Sequence, residues 1–189
     1  MEFGALQEVA TSARWVLLVG LLIITSWTDT RTERIRNVHT FPAMALGLIL
    51  GFLSGGVDGL LVAALGIGLA FLAMFPLFAM GIMKAGDAKM LMAIGALAGP
   101  GIALRALIAS FIVFLPVAVV VLFLKGKLGN AGQALYRIWR FLYTTVHPVL
   151  DKEPLATEGG VWTPYALVLG VGTLLVWQTP FLDLKLGIF

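Results

Sequence analysis

Apolar residues fall in long continuous runs along this chain, over roughly residues 13–28, 38–54, 58–80, 88–102, 104–124 and 161–178. A membrane-crossing helix needs about 20 mainly apolar residues, fewer where an end residue snorkels. Six segments meet or approach that length. The fourth is the shortest and suits a half-span that keeps the loop before it near the interface. Continuous runs replace period-2 alternation, which disfavours a closed barrel. The pattern predicts an all-α membrane protein, a polytopic bundle of about six transmembrane helices forming one membrane-embedded domain over residues 1–189.

Between the runs, Ser54-Gly55-Gly56-Val57-Asp58 has turn composition, and Gly99-Pro100-Gly101 breaks the chain before the fifth run. Pro76 and Pro116 fall inside runs and predict kinks there, with neighbouring groups re-satisfying the freed carbonyls. The connection 125–160 carries Tyr136, Trp139, Phe141 and Tyr143 beside Arg137 and Arg140, a mix suited to an interfacial helix on the inner leaflet. Gly47, Gly51 and Gly55, and again Gly95 and Gly99, recur at four-residue spacing. Such spacing lets helix backbones approach closely, and packing inside the bundle is the expected use.

Composition supports the membrane reading. The chain is 60% hydrophobic and only 12% charged, with mean hydropathy +0.99, whereas charge in soluble domains is near a quarter of residues. The net charge of +3 matters less than its placement. If the chain starts outside, Arg31, Arg34, Arg36, Lys84, Lys89, Lys125, Lys127, Arg137, Arg140 and Lys152 fall inside, and only Arg14, Arg105 and Lys185 fall outside. Basic residues mark the cytoplasmic side, so both termini are expected outside. The Arg31, Arg34, Arg36 cluster is expected to anchor the chain and meet anionic membrane lipids. Acidic Glu2 and Glu8 precede the first run and no small-x-small cleavage site follows it, so it reads as a retained span. The absence of cysteine excludes disulfides, thiolate catalysis and Cys-ligated zinc.

Two acidic residues stand out from this background. Asp29 ends the first run, in Thr28-Asp29-Thr30-Arg31, and Asp87 lies in Met83-Lys84-Ala85-Gly86-Asp87-Ala88-Lys89 between two further runs. Ionisable groups at such positions are costly and usually mark function. The six-run count delivers both to the same, cytoplasmic face. Two carboxyls at close range cannot both ionise, so one holds a proton while the other takes one from an attacking water. Gly86 is expected to leave room for an extended peptide and to permit positive φ. Lys84 and Lys89 flank Asp87, and local electrostatics is expected to lower its pKa. Asp58 and Asp183 sit at external ends and read as solvated, as does Glu33 among its arginines. His39 and His147 show no ligand spacing, so no metal or other cofactor is expected. There is no phosphate-loop or Ser-His-Asp signature, and no nucleic-acid partner is expected.

At these residues the chain resembles the prepilin peptidases, type IV leader peptidases of the GxGD class of membrane aspartyl proteases. The first family block, Asp-x-Arg-x-x-x-Ile-Pro-Asn, stands here as Asp29-Thr30-Arg31-Thr32-Glu33-Arg34-Ile35-Arg36-Asn37. The second, Gly-x-Gly-Asp followed by x-Lys, stands as Lys84-Ala85-Gly86-Asp87-Ala88-Lys89, continuing to Gly95 and Gly99. Arg36 replaces the usual proline, and Lys84 the first glycine. The resemblance covers roughly residues 13–124. It implies Asp29 and Asp87 as the catalytic pair, with Gly86, Lys84, Lys89 and Asn37 in support. It also implies a bacterial cytoplasmic-membrane enzyme that cuts the short basic leader from prepilin or pseudopilin precursors, alongside pilus or secretion assembly machinery. Larger members carry a cysteine-bearing amino-terminal region; with no cysteine here, the chain is similar to the compact form associated with Tad/Flp-type pili and is expected to lack that region. Two alternatives are an inactive structural subunit of such a complex and a proton-coupled transporter. A transporter more naturally places its carboxylates near the bilayer midplane within inverted repeats.

Overall fold

The computed structural model describes residues 2–32, 34–79, 83–124 and 165–178, all of whose regular structure is helical. Among the described residues there are five helices: α1 (Glu2–Thr32), α2 (Asn37–Ala79), α3 (Ala85–Ala98), α4 (Pro100–Leu124) and α5 (Tyr165–Gln178). The expected interfacial segment 125–160 lies outside the described residues.

The 43-residue α2 is not one straight rod. Its backbone leaves helical geometry at Gly55 (φ −141°, ψ 15°) and Gly56 (φ 61°, ψ −140°). Only glycine adopts the second of these without steric cost. The two arms then fold against each other. Gly51 and Gly59 meet backbone to backbone, and a Cβ added at Gly59 would run into the Gly51 carbonyl. The turn thus falls within the Ser54–Asp58 stretch that composition marks, and Asp58 is exposed there as expected. Pro42 and Pro76 lie within α2, which leaves helical φ/ψ only at the glycine pair. Pro116 likewise lies within α4.

The short α3 is the centre of the assembly. Met90, Leu91, Ala93, Ile94 and Ala96 are wholly buried on it, and it touches each of the other four helices. Small residues make this possible. A Cβ at Gly47 on the first arm of α2 would lie 2.7 Å from that of Ala96. On the second arm, Gly66 and Gly95 face each other's carbonyls with no room for a side chain on either. Of the four-spaced glycines, Gly47, Gly51 and Gly95 therefore serve packing within the chain, while Gly55 belongs to the turn in α2 and Gly99 to the end of α3. At its far end α3 stops at Gly99 (φ 89°), and α4 begins at once. The helix boundaries differ from the apolar runs, since α3 starts before 88 and α4 before 104. The helical hydrogen-bond ladder does not stop where hydropathy does.

α5 packs antiparallel to α1. Trp15 near the middle of α1 stacks on Trp177 at the end of α5, centroids 5.0 Å apart. At the other end of the same pair, the main chain of Ala166 meets Asp29. Gly172 lets α5 approach α4, where a Cβ would lie 2.9 Å from the Ser110 nitrogen.

Outward faces are strongly apolar. Val16 is 72% and Leu72 66% exposed, far from what a water-facing helix presents. Gly4–Thr32 and Asn37–Phe78 are long and apolar enough to cross a membrane, with mean hydropathies of 1.8 and 2.4, and Pro100–Phe114 and Tyr165–Trp177 form shorter apolar helices.

Candidate active site

Asp29 lies in the last turn of α1, beyond the apolar run 13–28. Along this polar last turn the local hydroxyls return to their own backbone. Thr28, Thr30 and Thr32 each donate to the carbonyl four residues back, at 2.7–2.9 Å, so a polar turn continues an apolar helix without stranded groups. Asp87 lies in the first turn of α3, ahead of the apolar run 88–102. Its Oδ2 accepts the Lys84 main-chain N–H at 3.1 Å. Its own N–H donates to the Lys84 carbonyl at 3.0 Å. Such reciprocal bonding closes a helix start, where a carboxylate also meets the positive end of the helix dipole.

Both carboxylates are buried, Asp29 at 4% and Asp87 at 7% exposure. Burial is the main reason the Asp87 carboxyl is pushed up to about 6 from its ordinary 3.8, and the nearby charge of Asp29 pushes in the same direction. The Lys84 N–H and the Lys84 charge pull it down, and lose. This reverses the expectation drawn from the flanking lysines: removal from water outweighs charges that remain in solvent. It also places Asp29 within electrostatic reach of Asp87.

The two sequence blocks meet at two further points. Lys89 Nζ donates to Asn37 Oδ1 at 3.0 Å, and its charge also lies 5.3 Å from the Phe41 ring centroid. Gly86 packs on Ile35, where an added Cβ would approach the Ile35 Cβ to 3.0 Å. The space beside Gly86 on that side is thus filled by the protein itself. Nor does Gly86 use positive φ, which among the described glycines belongs to Gly56 and Gly99. Lys84, in the position of the family's first glycine, has an extended backbone (φ −80°, ψ 151°) open to any residue. Its part in holding Asp87 is played by main-chain atoms, which explains why a lysine fits there. Arg36 likewise offers its carbonyl to the His39 N–H at 3.1 Å, a bond that proline in its place would also accept. A basic cleft of about 730 Å³, lined by Thr32, Arg34, Arg36 and Lys84, opens at this end. No group of three or more metal-ligating side chains occurs among the described residues.

Sequence reasoning missed the third wall. Asp29 Oδ2 accepts the N–H of Ala166 at 3.1 Å, from the first turn of α5. Next to it, Tyr165 Oη and Ser110 Oγ share a hydrogen bond of 2.8 Å, tying α5 to α4. Thr163-Pro164 just before α5 is a helix-start signal that marks a set of unpaired N–H groups. That was the available clue.

Two buried carboxylates, each meeting a main-chain donor at a helix start, are held at one end of an apolar helical assembly. Carboxyls so held can keep and pass protons, and the apolar faces around them are those of a membrane protein. Compared with known families, residues 16–129 match the type IV leader peptidase family, well over half of the chain, and the chain belongs to that family. Membership implies a peptidase with prepilin-type substrates. No curated protein and no solved structure matches the chain. The matched region holds both aspartates but ends before α5.

Proposed function

We propose that the protein is a membrane aspartyl endopeptidase that removes the short basic leader from prepilin or pseudopilin precursors at the cytoplasmic face of a bacterial inner membrane. Its chain crosses the membrane about six times as a single domain, with both termini outside. The observation that carries this reading is the burial of Asp29 and Asp87 within electrostatic reach of each other. Two further links between the same sequence blocks support it, Lys89 to Asn37 and Gly86 to Ile35.

The chemistry follows from one proton shared between two carboxyls. The ionised carboxylate takes a proton from water as its oxygen attacks the scissile carbonyl carbon. The protonated carboxyl donates to the carbonyl oxygen, giving a tetrahedral gem-diol. Collapse of that intermediate breaks the C–N bond, the amine leaves with a proton, and the leader departs with a new carboxyl end. Burial suits the pair to this work, because it keeps one proton bound where an exposed carboxyl would lose it.

Asp29→Asn and Asp87→Asn test the reading directly, since each keeps the size of the side chain and removes the shared proton. In membranes carrying a cognate precursor, both variants should be present at normal levels and leave the precursor uncut on a gel. Cleavage near the normal rate by either one sinks the assignment.

A further inference from the structure

α5 lies outside the region matched by the family, yet it touches the carboxylate pair. Asp29 occupies the last turn of α1, where unpaired carbonyls make the negative end of the helix dipole. A buried carboxylate there is unfavourable unless something opposes that field. The first turn of α5 is placed to do so. Ala166 is fully buried and its N–H, one of the donors a helix start leaves unpaired, bonds to Asp29 Oδ2. Tyr165, also buried, is fixed by its bond to Ser110, and Ser26 Oγ on α1 donates to the Ala166 carbonyl at 3.3 Å. The donor is thus held from two sides.

Resting on the endopeptidase reading above, we infer that the Tyr165–Ala166 turn of α5 is a positioning element of the active site, its Ala166 N–H orienting the Asp29 carboxylate for proton transfer. One oxygen, Oδ2, accepts from that donor, which fixes how the carboxyl is turned. A main-chain N–H can donate only, so it favours the charged carboxylate. Among the described residues, the other charged or titratable groups near this end are Asp87, Lys84 and Lys89 on α3 and its approach, Arg31 on α1, Arg34 and Arg36 between α1 and α2, His39 on α2 and Tyr165 itself. Arg31 lies 4.4 Å over the Trp27 ring and Lys89 is held by Asn37.

The test removes the N–H alone. Lactic acid in place of Ala166, introduced by nonsense suppression, keeps the methyl side chain and turns the amide into an ester. Tyr165→Phe is the second arm, loosening the turn while leaving the N–H. For the ester we expect kcat to fall at least tenfold with KM little changed, and the acid limb of the pH–rate profile to move up by about one unit. That limb belongs to the carboxyl pair as a unit. Tyr165→Phe should move both readouts the same way by less. Val171→Ala, at an exposed position on α5, should match the unaltered enzyme. A normal kcat and unmoved acid limb in the ester enzyme overturn the inference. So does a rate lost in the ester and Tyr165→Phe enzymes with an unmoved limb, which marks the turn as structural only. If Asp29→Asn cleaves normally, the endopeptidase reading has failed instead, whatever α5 does.

Discussion

Lys89 donates a hydrogen bond to Asn37 across 52 residues of sequence, joining the start of α3 to the start of α2. Each residue follows one of the two aspartates in its own sequence block, so the bond fixes the two blocks relative to each other. It is exposed, and such a pair contributes little to global stability. Its effect is expected on alignment of the carboxyls. Lys89→Ala should lower kcat roughly three- to tenfold, as expected when positioning is loosened, while the thermal midpoint in detergent stays nearly unchanged. Lys89→Gln, which can still donate to Asn37, should keep most of the rate. Equal loss in both variants would show that the charge matters and the bond does not.

Gly86 and Ile35 make the second link, and its tightness gives a sharper test. Any side chain at 86 meets Ile35 at about contact distance or closer, the first added carbon lying 3.0 Å from the Ile35 Cβ. Gly86→Val should separate the two loops and reduce cleavage by at least a hundredfold, the scale on which small misplacements of catalytic groups act. If the cause is this contact, Ile35→Gly, which removes the Cβ that is met, combined with Gly86→Val should recover part of the lost rate. Should the double variant stay as inactive as Gly86→Val, the glycine is needed for another reason, such as the approach of the peptide.

How far the sequence discloses this molecule depends on which forces are local. The glycine pair at 55–56 dictates its own backbone, so the turn between the arms of α2 is readable from composition. The short apolar run after Asp87 matches the short, central α3. Both aspartates can be singled out because charge is rare in such a chain. The state of Asp87 cannot be read this way, since Lys84 and Lys89 are visible in sequence but the burial that outweighs them comes from other helices. The same holds for Gly86, whose neighbour Ile35 belongs to the other block. For Ala166 the sequence marks only a helix start, at Thr163-Pro164, and not its partner. Its contribution is a main-chain N–H that every residue except proline carries, and only helix packing brings it to Asp29.

The raised Asp87 pKa has a consequence for stability. A carboxyl that holds its proton more tightly folded than unfolded stabilises the folded state while it is protonated. That contribution is complete below the ordinary value of 3.8 and is lost as the pH rises through about 6. The difference amounts to something on the order of 3 kcal/mol. The thermal midpoint of the unaltered protein in detergent should therefore fall between pH 4 and 7, with its steepest change below about pH 6. Asp87→Asn, which carries no titrating proton at this site, should flatten that decline and exceed the unaltered protein at neutral pH. Parallel midpoint curves for the two proteins would show that burial of Asp87 carries no such penalty.

The proposed topology places the Asp29 and Asp87 ends of α1 and α3 in the cytoplasm and the Gly55–Gly56 turn outside. The chain has no cysteine, so single introduced thiols report their own positions. Thr32 and Lys84 are exposed and flank the two aspartates, while Val57 is 64% exposed beside the turn. Ala88 is nearer to Asp87 but buried, and a thiol there would resist labelling on either side. Thr32→Cys and Lys84→Cys should be unreactive to an impermeant thiol reagent outside intact cells and react in inverted vesicles. Val57→Cys should do the reverse. The basic residues Arg31, Arg34, Arg36, Lys84 and Lys89 give the physical reason, because positive charge is retained on the cytoplasmic side during insertion. If Thr32→Cys and Lys84→Cys label from opposite sides, the chain crosses an odd number of times between them and the two aspartates cannot work as a pair. If both label from outside, the pair survives and the orientation is inverted.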